Sequence, residues 1–193
     1  YNLFAMLVAT CPEDVPCDPS LRLARIDYLN LGERGAEAFF DGIEKFPNLS
    51  GLAIKADQAD LARKCPTLRY LDFRRCSDSV DLSLLAGCDQ LEELNLFNLA
   101  LKDLTALPAL PNLRRIDLRR CWSLEQLESM PALPKLEELE LAFCGDLKTL
   151  GDLSRFPSLQ KLNLQNCENL NLPENLTKSG IPDLIMPEEN SKD

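Results

Sequence analysis

Histidine is missing from this 193-residue sequence. Its absence removes the usual general base, the imidazole metal ligand and any Ser-His or Cys-His nucleophilic pair. No Gly-rich loop that could cradle phosphate is present either. Long apolar runs are lacking. The longest, from Leu3 to Ala9, is too short to span a bilayer and has no basic start, so neither a transmembrane helix nor a whole signal peptide is visible. Basic charge is in deficit, with 21 Lys and Arg against 31 Asp and Glu and a net charge of -10. That balance argues against binding nucleic acid or anionic membranes through summed charge and leaves room only for a local basic patch. A chain that begins at Tyr1 is expected to be a fragment, so targeting signals and further domains can lie outside it.

What is present is a repeat. The stretches LRRIDLRRCWSL, LEELELAFCGDL and LQKLNLQNCENL begin at Leu113, Leu136 and Leu159 and share the template L-x-x-L-x-L-x-x-C-x-x-L. Earlier copies begin at Ile26, Leu49, Leu68 and Leu91, so seven coils follow one another at steps of 19 to 23 residues. With 45% apolar residues, the chain can bury the core of one domain. A period of this length predicts an α/β solenoid, each coil giving one short parallel strand, a turn and a return path. The return paths carry two columns of their own. One runs Leu23, Phe46, Cys65, Cys88, Leu110, Leu133 and Phe156, and the other Ile43, Ala62, Leu85, Leu107, Met130 and Leu153. Both are expected to pack the convex core.

The eight cysteines follow the repeat rather than metal-type or bridge-type pairs, so they read as reduced core thiols in an intracellular, reducing environment. Template position 9 holds Cys76, Cys121, Cys144 and Cys167, where an inward thiol can support the turn by donating to a carbonyl of the neighbouring coil. A redox or metal ladder is the alternative, since adjacent strands lie only ~4.8 Å apart. Outside the repeat, residues 1–20 read as an N-terminal cap containing Cys11 and Cys17, structural cysteines unless they form a disulfide or half a metal site. Residues 21–172 are read as the repeat array, in which the insert 32–48 places Ala36, Phe39, Phe40, Ile43 and Phe46 at helical intervals, so the convex side of the first coil is expected to be a helix. Residues 173–193, with Pro182 and Pro187, read as a C-terminal cap and frayed tail.

From Ile26 to about Leu172 the sequence resembles leucine-rich repeat proteins. The cysteine variant of the template, with prolines before the strands in LPALPN (107–112) and MPALPK (130–135), is similar to plant intracellular immune receptors and to effectors that bacterial pathogens inject into host cells. Leu172, Pro173, Glu174 and Leu176, followed by Leu184, Ile185, Met186 and Pro187, resemble the end of the repeat array in effectors of the ubiquitin-ligase type. The resemblance implies a curved horseshoe with a concave parallel sheet of about seven strands and a convex side of short helices, 3-10 turns and loops. It also implies a module that recognises a host protein, in an effector secreted into the host cell cytoplasm, with any catalysis in a separate domain. No cofactor is expected, and neither nucleic acid nor membrane is expected as a partner. A host-side adaptor or receptor fragment is the alternative, as is an enzyme using the concave carboxylates Asp117, Glu138 and Glu140.

On such a face, template positions 3, 5 and 7 are expected to point outward as three stripes. The third is the most informative, running Lys55, Arg74, Phe97, Arg119, Ala142 and Gln165, with Arg75, Asn98, Arg120 and Phe143 one position on. Arginine and aromatic side chains are the types enriched at interaction hot spots. The expected binding residues are therefore Tyr70, Arg74, Arg75, Phe97, Arg115, Arg119, Arg120 and Phe143, with Trp122 at the margin or packed on the flank. The competing reading is that Arg74 and Arg119 merely neutralise Asp72, Asp117 or Glu93.

Overall fold

The computed structural model describes residues 28–31, 43, 46–73, 79–174, 176–178 and 180–187. The N-terminal cap with Cys11 and Cys17, Leu23, Ile26, most of the 32–48 insert with its expected helix, Arg74, Arg75, Cys76 and the end of the tail lie outside them.

Each template copy places its two inner apolar residues in a strand or just after it, and the polar residues between them alternate outward. The strands are β1 (Tyr28–Asn30), β2 (Gly51–Ile54), β3 (Tyr70–Phe73), β4 (Glu93–Asn95), β5 (Arg115–Asp117), β6 (Glu138–Glu140), β7 (Lys161–Asn163) and β8 (Asp183–Ile185). They form one sheet in chain order, and every neighbouring pair is parallel. Equivalent template positions face one another throughout, so Tyr70, Glu93, Arg115, Glu138, Lys161 and Asp183 stand in one row. The sheet has eight strands rather than seven. The last lies within the stretch read as cap and tail, where Ile181, Leu184 and Met186 take the apolar template positions and pack half-buried against the core.

The Leu columns fill the interior. Leu71, Leu94, Ile116, Leu139 and Leu162, together with Phe73, Leu96, Leu118, Leu141 and Leu164, are essentially inaccessible to solvent. Both convex columns are core as well, with Phe46 and Leu153 half-buried and the other described members buried. Burying one leucine contributes ~1.5–3 kcal/mol. Ordering each residue costs about 1–2 kcal/mol in backbone entropy, so no single coil is stable and only stacking makes the array hold. The described return paths include 3-10 turns at Ala56–Lys64, Leu82–Leu85, Leu153–Arg155 and Leu176–Lys178.

Position 9 has the turn-supporting role. The thiols of Cys121, Cys144 and Cys167 donate to the carbonyls of Leu96, Leu118 and Leu141, each one coil back, at 3.3, 3.1 and 3.1 Å. Burial pushes the Cys121 thiol up to about 12 and the Cys167 thiol up to about 11, and it raises Cys144 as well. Neutral buried thiols of this kind are poor nucleophiles and poor metal ligands.

Candidate functional site

The turns after the strands build a ridge along the strand ends that includes exposed Phe97. The position-8 amide continues the ladder past the strand: Asn98, Arg120 and Phe143 donate to the carbonyls of Arg119, Ala142 and Gln165 in the next coil, at 2.9, 3.0 and 2.8 Å. The chain must then turn inward at position 9. It does so by placing position 8 in the left-handed region, with φ of 61° at Asn98, 61° at Arg120, 65° at Phe143 and 56° at Asn166. Asparagine tolerates that conformation, whereas other L-residues are disfavoured there by ~1–2 kcal/mol. Arg120 and Phe143 are therefore strained where sister coils use Asn.

These strained residues carry the arginine-aromatic cluster. The Arg119 and Arg120 guanidinium carbons lie 5.7 and 5.8 Å from the centroid of the Phe97 ring, and Arg120 also lies 5.5 Å from that of Phe143. Phe97 is 39% exposed and Trp122 52%. Trp122 leans on the next coil at Gly145, where an added Cβ would meet the indole at 3.4 Å, so it is both packed on the flank and open to solvent.

Arg119 and Arg120 differ in what holds them. Arg119 grips Asp117 with Nε 2.9 Å from Oδ1 and Nη2 2.6 Å from Oδ2, and this bond holds its proton more firmly than usual. Arg120 makes no ion pair among the described residues. Arg119 thus has the neutralising role weighed for it, and its neighbour Arg120 keeps its guanidinium open among the described residues. Of the other expected site residues, Tyr70 donates from its hydroxyl to Asp72 Oδ2 at 3.0 Å, and Arg115 reaches Glu138 at 3.3 Å. Arg74 and Arg75 lie outside the described residues.

The middle stripe differs from expectation. Ala53, Asp72, Asp117 and Glu140 are buried, as is Ala142 in the third stripe. In a parallel ladder, equivalent residues stand ~4.8 Å apart, so short position-5 side chains are covered by longer neighbours at positions 3 and 7. Asn95, Asp117 and Asn163 use the shelter to accept the backbone N–H two residues on, from Phe97, Arg119 and Gln165, at 2.9 to 3.0 Å. These Asx turns hold the strand exit from which the ridge projects. The carboxylates considered for catalysis are engaged: Lys161 Nζ lies 2.7 Å from Glu138 and 2.6 Å from Glu140. Glu138 is pushed up by burial, but the Lys161 hydrogen bond and the Arg115 charge outweigh this and hold it below the usual carboxylate value. Among the described residues no group of three or more metal-ligating side chains could hold an ion.

Beside the ridge, Tyr70, Glu93, Asn95, Arg115, Asp117 and Arg119 line a shallow depression of about 240 Å³. At the amino-terminal end of the face the Tyr28 ring covers Gly51, where a Cβ would stand 2.6 Å from Cδ2, and approaches Tyr70 at 6.2 Å between centroids. Two arginines not picked out from sequence clamp the convex side. Arg63 donates to the carbonyls of Leu84 and Ser83, and Arg155 to those of Leu127, Glu128, Met130 and Asp152.

Neither a protein-family model nor a curated protein matches the sequence. Among solved structures, the leucine-rich repeat domain of the type III effector XopL is similar, with a TM-score of 0.56 and 19% identity over 92% of this chain and 72% of that one. Internalin C2 of Listeria monocytogenes gives a TM-score of 0.45 and 17% identity over 87% and 82% of the two chains. In sheet order, Leu columns and thiol-supported turns, this chain folds as a leucine-rich repeat solenoid, resembling the repeat domain of that effector.

Proposed function

We propose that the chain is a protein-interaction module whose sheet face and turn ridge take a partner protein. The observation that carries this reading is the ridge of exposed Phe97, Arg119 and Arg120 with half-buried Phe143, a cation-aromatic cluster on a hydrogen-bonded ladder. Planar side chains fixed in advance give up little conformational entropy on binding, which is why such clusters dominate interfaces. An ion-pair role accounts for Arg119 and gives no reason for the exposed Phe97 or Trp122. Strain retained at two adjacent ridge positions also points to a use that outweighs its cost in stability.

In the finer reading, the module is the target-recognition domain of a secreted bacterial virulence effector and its partner is a host protein met in the host cytoplasm. The likeness to the XopL repeat domain supports this. The test is affinity capture from lysates of candidate host cells with the wild type and with a Phe97→Ala, Arg120→Glu, Phe143→Asn variant. Arg119 stays in place because its reversal would set a second carboxylate against Asp117. The expected result is a host protein retained by the wild type and lost by the variant while the variant keeps a cooperative unfolding transition. Identical capture by both proteins refutes the ridge as the binding surface.

A further inference from the structure

Resting on the ridge as the interaction surface, the geometry assigns Arg120 as a receptor for a single carboxylate presented by the partner, an Asp or Glu side chain flanked by apolar residues. The argument starts with the coil register. Phe97 belongs to the coil before Arg120 and Phe143 to the coil after it, and the Arg120 guanidinium carbon lies within 5.8 and 5.5 Å of the two ring centroids. Both rings are within cation–π distance of the guanidinium, and its fork of N–H donors remains for a partner. No carboxylate among the described residues occupies that fork, in contrast to Arg119, whose fork is filled by Asp117.

The backbone gives a second, independent observation. Arg120 sits at φ 61° at a position where Asn98 and Asn166 meet the same requirement without strain. A long cation held there against its backbone preference is pre-positioned, and a pre-positioned guanidinium loses less freedom when it forms a bidentate bond.

Charge selects the anion. With Arg119 neutralised by Asp117, the described ridge offers one uncompensated positive charge on a chain of net charge -10. One unit of charge matches a carboxylate. A phosphate dianion would bring a second negative charge into an acidic field with no cation to meet it. Exposed Phe97, whose ring centroid lies 5.8 Å from the Arg120 guanidinium carbon, supplies apolar surface for the residues flanking the carboxylate.

The test uses three matched probes, acetylated and amidated Leu-Glu-Leu, Leu-Gln-Leu and Leu-phosphoserine-Leu, titrated into 15N-labelled protein. The readout is the side-chain Nε–Hε resonance of Arg120, identified by its loss in Arg120→Lys. The glutamate peptide is expected to shift this resonance and leave that of Arg119 in place, with the glutamine peptide inert and the phosphoserine peptide no tighter. Arg120→Lys, which keeps the charge and loses the fork, is expected to weaken glutamate-peptide binding about tenfold, read from backbone amides of Phe97 and Phe143. An unmoved Arg120 resonance, an equal response to glutamine, or tighter binding of phosphoserine each overturns the assignment. None of these results depends on capturing the natural partner, so this inference can fail while the interaction reading stands.

Discussion

Replacing Arg120 by Asn and, separately, by Ala isolates the strain at the turn. Both changes remove the two stacking contacts at 5.8 and 5.5 Å, which at an exposed site are worth about 0.5–1 kcal/mol each. They differ in backbone preference, because at φ 61° Ala keeps the left-handed penalty of ~1–2 kcal/mol and Asn largely escapes it. Arg120→Ala is therefore expected to lose ~1–2 kcal/mol and Arg120→Asn ~1 kcal/mol less than that. In a domain of this size the gap between them corresponds to roughly 2–4 °C in midpoint. Urea unfolding at matched slopes, backed by calorimetry, measures it. Arg115, on β5 with an ordinary backbone, is the control, and there Asn should hold no comparable advantage over Ala. If Ala at position 120 equals or exceeds Asn in stability, the turn is not strained and the backbone support for the carboxylate receptor is lost.

Three further outcomes are expected. The folded Cys121 thiol is raised from 9.0 to about 12, so its stabilising share is complete below pH 9 and is lost as pH rises through the folded value. At pH 10.5 the wild type should have lost about 2 kcal/mol of its stability advantage over Cys121→Ala relative to pH 7.5; an unchanged gap between the two would mean the thiol is not buried. Glu138, held below its ordinary 4.5, stabilises above that value and ceases to as pH falls through its folded value. Glu138→Gln should cost ~1 kcal/mol at pH 7 and progressively less as pH falls below 4.5, and a cost that stays constant into acid would assign it to packing. Leu184→Ala in β8 should destabilise by ~1–2 kcal/mol, less than the ~2–5 kcal/mol of Leu162→Ala in β7, because Leu184 is only half-buried; urea denaturation with no loss at Leu184 would show that β8 is not docked.

The parts of the fold governed by a fixed period were legible in the sequence. Leu, Phe and Cys at matching offsets in successive coils stack, so the core columns followed from spacing, whereas spacing left the position-9 thiols either turn supports or a redox or metal ladder. β8 escaped because Ile181-Pro182-Asp183-Leu184-Ile185-Met186 keeps the apolar offsets but ends on Met and has no turn cysteine, although it begins 22 residues after Leu159. The burial of Asp72, Asp117 and Glu140 escaped for another reason. Alternation along a strand says which way a side chain points, and only the neighbours on adjacent strands decide whether it is covered. At the candidate site, spacing placed Phe97 between Arg74 and Arg119, with Arg120 and Phe143 one position further on. It could not say which arginine had its fork filled, because Asp117 offers itself to Arg119 through an Asx turn that exists only once the chain is folded.

The alternating charges along the coils carry a consequence for how the array can be cut or extended. Arg69 meets Glu92 and Arg114 meets Glu137, Glu125 lies between Lys102 and Lys148, and in the next row Glu93, Arg115, Glu138, Lys161 and Asp183 change sign at every step. The coils therefore have a parity. Excising the coil that begins at Leu91 would stack Arg69 on Arg114, whereas excising it together with the coil that begins at Leu113 would return Arg69 to a glutamate, Glu137. A stack that slips by one coil during folding meets repulsion in several columns at once, and one that slips by two meets attraction. The leucines are nearly identical from coil to coil and cannot tell these stackings apart, so the exposed charges act as the counter that tells odd coils from even.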